Sequence, residues 1–161
     1  KSCIVQFAEQ GATVVIGDVQ EDKGRELVKE IGASAHFLKL DVTDDQAWGD
    51  AIETIKRDLG ALHILVNNAG IAGRSSVEDM DLTDWRAIQS VNLDGIFLGC
   101  HHSIPLIHAS GGGSITTISS ALGLKALAMY PAYCTSKAAA RIRSTLGHHQ
   151  PEHPCDTDEM E

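Results

Sequence analysis

Short apolar runs alternate along this chain with longer segments whose apolar residues recur at helical spacing. Each predicted strand is a short apolar or β-branched run that ends at polar residues: Thr13–Gly17, His36–Leu40, Ile64–Val66 and Ser114–Ile118. The predicted helices place apolar residues three or four positions apart and cover about 1–10, 21–31, 44–59, 83–108 and a last segment that begins near Pro131. The pattern therefore predicts a regular alternation of strands and helices.

Local signals set the expected boundaries of several elements. The β-branched run Thr13–Gly17 predicts a strand buried on both faces. Thr83 is predicted to cap the long fourth helix, and Pro105 to kink or end it. Gly111–Gly113 then turns the chain into the last strand.

Strands that alternate with helices of ten or more residues predict right-handed βαβ units. The expected fold is therefore α/β, a doubly wound parallel sheet of the Rossmann type with helices on both faces, which binds ligands at the carboxyl ends of its strands. The predicted domain covers residues 1–147. Residues 148–161 have no apolar period and contain five carboxylates but no Lys or Arg after residue 151, so this segment is predicted to be a disordered acidic tail.

Composition narrows the classes of partner. The 161 residues include 13 Lys and Arg against 22 Asp and Glu, a net charge of −9, which argues against a nucleic-acid or anionic-membrane partner. No apolar run has the length of a membrane span, and the first residues have no signal-peptide pattern. The expected location is the cytoplasm.

Polar side chains close every predicted strand: Asp18, Asp41, Asn67–Asn68 and Ser119–Ser120. Loops are generally polar, so each alone is unremarkable, but parallel strands bring all of them to one edge. A carboxylate such as Asp18 can accept both hydroxyls of an adenosine ribose and would repel a 2′-phosphate. Val19 and Gln20 provide no Arg for such a phosphate, which favours NAD over NADP.

Tyr133 and Lys137 are four residues apart and share one face of the last helix. Alone, this spacing is equally typical of a surface pair. The pair is more typical of a catalytic site when two other residues are considered. Ser120 lies at a strand end 13 residues before the tyrosine, and Asn92 lies in the preceding helix. The histidines and Cys155 near the carboxyl terminus fit no zinc spacing, so no metal site is predicted.

Taken together, these motifs resemble those of the short-chain dehydrogenases/reductases over about residues 1–143. The matching motifs, in order, are Asp18, Leu40-Asp41-Val42, Asn67-Asn68-Ala69-Gly70, Val91-Asn92, Ile118-Ser119-Ser120 and Tyr133-x-x-x-Lys137. Members of this family transfer a hydride between a nicotinamide cofactor and a secondary alcohol or ketone. The resemblance implies that function here, with NAD, a small alcohol or ketone substrate, and a homo-oligomer (dimer or tetramer) for the complete protein.

The resemblance also implies a role for each matching residue. Tyr133 would be the general acid and base, Ser120 would hold the substrate oxygen, Lys137 would support the ionised tyrosine and bind the nicotinamide ribose, and Asn92 would hold a water in the proton relay. The adenosine end would contact Asp18, Asp41 and Val42, and the rest of the cofactor would lie along Asn68, Ala69 and Gly70. The substrate pocket would involve residues 72–76 and 121–131.

The family's first strand with its glycine loop, and its last strands, have no counterpart in these residues. The chain is therefore expected to be a fragment that has an incomplete sheet and no activity alone. The first strand would lie between Thr13–Gly17 and Ile64–Val66, so its absence is expected to leave two half-sheets. Two alternatives stay open, an inactive remnant that acts only by association with other chains and a nucleotide-binding sensor without turnover. NADH formation from secondary alcohols, measured beside cofactor binding, would distinguish the three.

Overall fold

The computed structural model describes residues 2–143 and has the predicted alternation of strands and helices. The elements, in chain order, are α1 (Ser2–Glu9), β1 (Val14–Asp18), α2 (Glu21–Ile31), β2 (Ala35–Lys39), α3 (Asp45–Leu59), β3 (Ile64–Asn67), α4 (Leu82–Gln89), a π-helical turn (Ser90–Asp94), α5 (Gly95–Ala109), β4 (Ser114–Thr117), a 3₁₀ turn (Ala121–Gly123) and α6 (Pro131–Arg143). The acidic tail predicted for 148–161 lies outside the described residues.

The strands form two separate parallel pairs. β1 pairs with β2 so that Val14 lies opposite Ala35, and β3 pairs with β4 so that Ile64 lies opposite Ser114. In the part of the chain that the structure describes, each sheet contains two strands, and β1 and β3 pair with nothing on their other side. The fold is thus α/β and Rossmann-like with an incomplete sheet, as predicted.

One layer of helices spans the two half-sheets. Trp48 and Ala51 of α3 form a buried cluster with Leu40, and both Leu38 of β2 and Leu65 of β3 pack against it. A second cluster joins Ile52 and Ile55 of α3 to Leu106 of α5. Because α3 buries apolar residues from both strand pairs, it holds the pairs together although no backbone ladder joins them within residues 2–143.

Three predictions about individual elements need correction. Asp81, not Thr83, caps α4, because its carboxylate accepts the Thr83 N–H at 3.0 Å. β1 is not buried on both faces along its length, since it is an edge strand and Gly17 and Asp18 are exposed. Of the two effects predicted for Pro105, a kink or an end, the end is wrong, since the helix continues to Ala109; the helix is interrupted earlier, at the π-helical turn.

Among residues 2–143, no helix combines the length and the apolar character needed to cross a membrane.

Candidate active site

Tyr133 and Lys137 lie one turn apart near the start of α6, as the spacing predicts. Lys137 is only 4% exposed, and its Nζ donates a hydrogen bond to the Ile118 carbonyl at 2.8 Å, just after β4. The same Nζ is 5.9 Å from the centroid of the Tyr133 ring. Burial lowers the pKa of Lys137, because desolvation disfavours the charged ammonium. A buried cation therefore lies beside the tyrosine.

The segment after β4 fixes the backbone of α6 at this point. Ser119 Oγ donates to the Lys137 carbonyl at 2.7 Å. Gly123 lies so close that a Cβ there would be 2.6 Å from the same carbonyl oxygen. Ser120 caps the 3₁₀ turn, and its Oγ accepts the Leu122 N–H at 3.1 Å. Because that oxygen acts as an acceptor in the cap, the Ser120 hydroxyl proton is available for a ligand.

Asn92 lies in the π-helical turn and is completely buried. Its Oδ1 accepts the Ile71 N–H at 2.8 Å, and its Nδ2 donates to the Ile71 carbonyl at 2.9 Å and to Ser136 Oγ at 3.0 Å. A Cβ on Gly70 would be 3.2 Å from Lys137 Nζ and 3.4 Å from Asn92 Oδ1. The structure therefore brings Gly70, Asn92 and Lys137 together, three residues that the motifs predict to share a site.

The predicted adenosine-binding residues lie at the carboxyl end of the other half-sheet. Asp18 is exposed at the end of β1 and accepts the Gln20 N–H at 2.9 Å. Asp41 follows β2, and the backbone N–H and then the hydroxyl of Thr43 lower its pKa by hydrogen bonding to the carboxylate. This half of the site makes no hydrogen bond to the Tyr133 region within the described residues.

Val42 directly follows Asp41, and the loop after β3 contains the other predicted cofactor-lining residues. The Val42 carbonyl accepts the Trp48 indole N–H at 3.1 Å, and the Val42 side chain approaches Gly95, directly after the π-helical turn. Residues 68–70 are exposed at the end of β3. Among the predicted cofactor-lining positions, Val42 therefore lies close to Gly95 and Gly70 lies close to Lys137.

Two cavities lie near α4 and α6. One of about 240 Å³ is lined by residues 71–75, Met80, Asp84, Ala87 and Ile88. The other, of about 350 Å³, is lined by Val77, residues 126–129, Pro131, Cys134 and Thr135. Both include positions from the segments expected to form the substrate pocket. Met129, which lines the second cavity, has a φ of 71°, and its carbonyl accepts the N–H of Ser75, which lines the first, at 2.9 Å.

Sequence reasoning assigned no role to Ser119, Ser136 or Gly123. Their contacts join residues 14 to 44 positions apart, so no local period reveals them. Ser119 was available as a strand-end residue, and Ser136 could have been found because it lies between Tyr133 and Lys137. The π-helical turn has no sequence signal of its own.

Comparison with known proteins gives one consistent result. A family model described as "short chain dehydrogenase" matches residues 1–149. The chain is 42% identical over 142 residues to 2,5-dichloro-2,5-cyclohexadiene-1,4-diol dehydrogenase LinX of Sphingobium indicum, covering 86% of this chain and 57% of that protein. It is 38% identical over 139 residues to cyclopentanol dehydrogenase of Comamonas testosteroni, covering 84% of this chain and 56% of that protein.

A solved structure agrees. Serine dehydrogenase from Escherichia coli superimposes with a TM-score of 0.83 at 26% sequence identity, over 90% of this chain and 68% of that chain. The chain spans about half the length of the curated relatives it matches. The residues that the family model matches, 1–149, span every motif position named above. The chain belongs to the short-chain dehydrogenase family.

Proposed function

We propose that the protein containing this chain is an oxidoreductase that interconverts a secondary alcohol and a ketone with NAD. The observation that supports this most strongly is the buried Lys137 ammonium, held on the Ile118 carbonyl beside the Tyr133 ring. Burial of a cation costs free energy unless hydrogen bonds or a counter-charge stabilise it, and buried charged groups are therefore common at functional sites. The names of the relatives, which include cyclopentanol and hydroxysteroid dehydrogenases, favour an alicyclic secondary alcohol as substrate.

The residues present suit a nicotinamide dinucleotide. Gly70 has no side chain to fill the space beside Lys137 Nζ, whereas a Cβ at this position would be 3.2 Å from that nitrogen. A cofactor can therefore approach the Gly70 backbone closely. Asp18 is exposed at a strand end, where a carboxylate can accept the ribose hydroxyls and repel a 2′-phosphate. Asp41, Val42 and residues 68–70 would line the space between Asp18 and Lys137. When bound, the nicotinamide would accept or supply the hydride.

The chain's own groups would manage the proton and the substrate oxygen. Tyr133 would take the alcohol proton during oxidation and return it during reduction. Lys137 would stabilise the phenolate by its positive charge, an interaction worth about 3 kcal/mol at the 5.9 Å between Nζ and the ring centroid and an effective dielectric of about 20. Ser120 would donate its hydroxyl proton to the substrate oxygen, and Asn92 would hold the loop after β3 and a water of the proton relay.

Substitution of Tyr133 tests this function in the protein that contains the chain. Tyr133→Phe removes the phenolic hydroxyl and should reduce NADH formation from cyclopentanol, followed at 340 nm, by about 10²–10⁴-fold. Cofactor binding, measured by fluorescence, should stay within a few-fold. Tyr130→Phe is the matched control, because it changes the other tyrosine of the chain in the same way. Retention of half the rate by Tyr133→Phe would remove Tyr133 from the mechanism.

A second candidate is a non-catalytic chain that only associates with other chains. Within residues 2–143, β1 and β3 each have an unpaired edge, which favours this candidate because such edges accept further strands. This candidate predicts association without turnover, whereas the enzyme predicts turnover by a dimer or tetramer in the cytoplasm. Rate measurements beside sedimentation of the same sample distinguish the two.

A further inference from the structure

Ser136 is a buried polar residue to which the proposed mechanism gives no role. It is 0% exposed in α6, between Tyr133 and Lys137. Its Oγ accepts a hydrogen bond from Asn92 Nδ2 at 3.0 Å and donates one to the Tyr133 carbonyl at 2.8 Å. The hydroxyl thus connects the π-helical turn to the residue whose side chain is the proposed acid and base.

We propose that Ser136 is a positioning residue that sets the first turn of α6, and with it Tyr133, against the buried amide of Asn92. This rests on the proposed function. The chain of hydrogen bonds runs from the Ile71 backbone through the Asn92 amide and the Ser136 hydroxyl to the Tyr133 carbonyl. It therefore fixes three segments relative to one another: the loop after β3, the π-helical turn and α6.

The geometry requires a hydroxyl at this position and not merely a small side chain. Asn92 Nδ2 has two hydrogens, and the Ile71 carbonyl and Ser136 Oγ accept them. Without the hydroxyl, one buried N–H of the Asn92 amide has no acceptor. That unsatisfied donor favours rotation of the amide away from the Ile71 backbone. Because a small misplacement of reacting groups slows catalysis strongly, the effect should fall on turnover.

A second buried serine provides a matched control. Ser103 in α5 is also 0% exposed, but its Oγ has no hydrogen-bond partner in the part of the chain that the structure describes. Ser103→Ala and Ser136→Ala therefore delete the same atom from equally buried helical sites. They differ in that Ser136→Ala also removes the connection between Asn92 and Tyr133.

The test measures kcat, KM for cyclopentanol, the NADH dissociation constant and Tm in the protein that contains the chain. We expect Ser136→Ala to lower kcat by about 10–100-fold with KM and NADH affinity within about two-fold. Ser103→Ala should keep kcat within about two-fold. Ser136→Thr, which retains a hydroxyl, should restore kcat to within about three-fold of the unmodified protein. If Ser136→Ala does not fold, Ser136→Cys takes its place and should show the same selective fall in kcat.

Contrary outcomes are distinct. An unchanged kcat in Ser136→Ala, an equal loss in Ser103→Ala, or a loss of kcat in Ser136→Cys accompanied by an equal rise in KM would each overturn the positioning role. If the unmodified protein oxidises none of a panel of secondary alcohols, the proposed function fails and this inference fails with it. The three contrary results with the serine variants leave the proposed function intact, because the unmodified protein is still active in each. Failure of the positioning role is therefore distinguishable from failure of the proposed function.

Discussion

Gly123 offers a sharp test of how the 3₁₀ turn after β4 controls the active site. Gly123→Ala would place a Cβ 2.6 Å from the Lys137 carbonyl oxygen, 2.7 Å from its carbon and 3.0 Å from the Ala138 nitrogen. All three are backbone atoms, so no side-chain rotation relieves the contact. To reach even 3.0 Å from the oxygen, the turn and α6 must separate by about 0.4 Å, and by about twice that for an unstrained contact.

Moving the 3₁₀ turn away from α6 would lengthen the hydrogen bonds that hold Lys137. The Ser119 Oγ bond to the Lys137 carbonyl is 2.7 Å long, and the Nζ bond to the Ile118 carbonyl is 2.8 Å long, so both would be stretched. We expect kcat to fall by about 10–100-fold, since misplacement of about 1 Å is enough for a loss of that order. The free energy of unfolding should fall by about 1–3 kcal/mol from overpacking.

The assay compares Gly123→Ala with Gly49→Ala in the same protein. Gly49 lies inside α3, and a Cβ there would meet only the His102 ring at 3.8 Å, an ordinary contact. Gly49→Ala should leave kcat unchanged and stabilise the fold by about 0.5–1 kcal/mol. Steady-state rates and urea unfolding give both numbers. A Gly123→Ala protein with unchanged kcat and stability would refute the argument that this glycine is required by close packing against α6.

Two further predictions concern charge. Asp18→Ser should relax the preference for NAD over NADP by removing carboxylate–phosphate repulsion, which the ratio of kcat/KM for the two cofactors measures; a protein that uses NADPH at least as well as NADH before substitution contradicts the assignment. Burial lowers the pKa of Lys137 from 10.5, so between the lowered pKa and pH 10.5 the folded state binds fewer protons than the unfolded chain. The free energy of unfolding should therefore rise with pH in this window. Lys137→Met should lack this rise in urea unfolding, and equal pH slopes would show that burial does not penalise the cation.

The sequence was most informative where local chemistry decides the structure. The stripe of Leu27, Val28 and Ile31 with Gly32 after it predicted α2 with its observed bounds. The Tyr133 and Lys137 spacing placed both residues on one helix. The cap of α4 was predicted at Thr83 and observed at Asp81, because both side chains have an oxygen that can accept a backbone N–H, and the choice depends on which oxygen reaches the free N–H groups of the first turn.

The remaining features depend on contacts between distant segments. The π-helical turn coincides with the hydrogen bonds of Asn92 to Ile71 and Ser136, and residues 21 and 44 positions away leave no periodic pattern. The requirement for Gly123 arises from the backbone of α6 and not from the turn's own dihedral angles. Sequence reasoning therefore found the residues with proposed chemical roles but not those that hold them in place.

Among the described residues, β1 and β3 each leave one edge unpaired, and this has a consequence for handling the protein. In a parallel ladder alternate residues bond to the same neighbour, and Val14 already donates to Ser34 of the β2 side, so Val15 and Gly17 direct their N–H groups to the open side. Such rows of free backbone groups recruit strands from other molecules. Residues 1–161 expressed alone should therefore lose solubility as their concentration rises, and fusion to a soluble carrier would slow this only while the carrier keeps the chains apart.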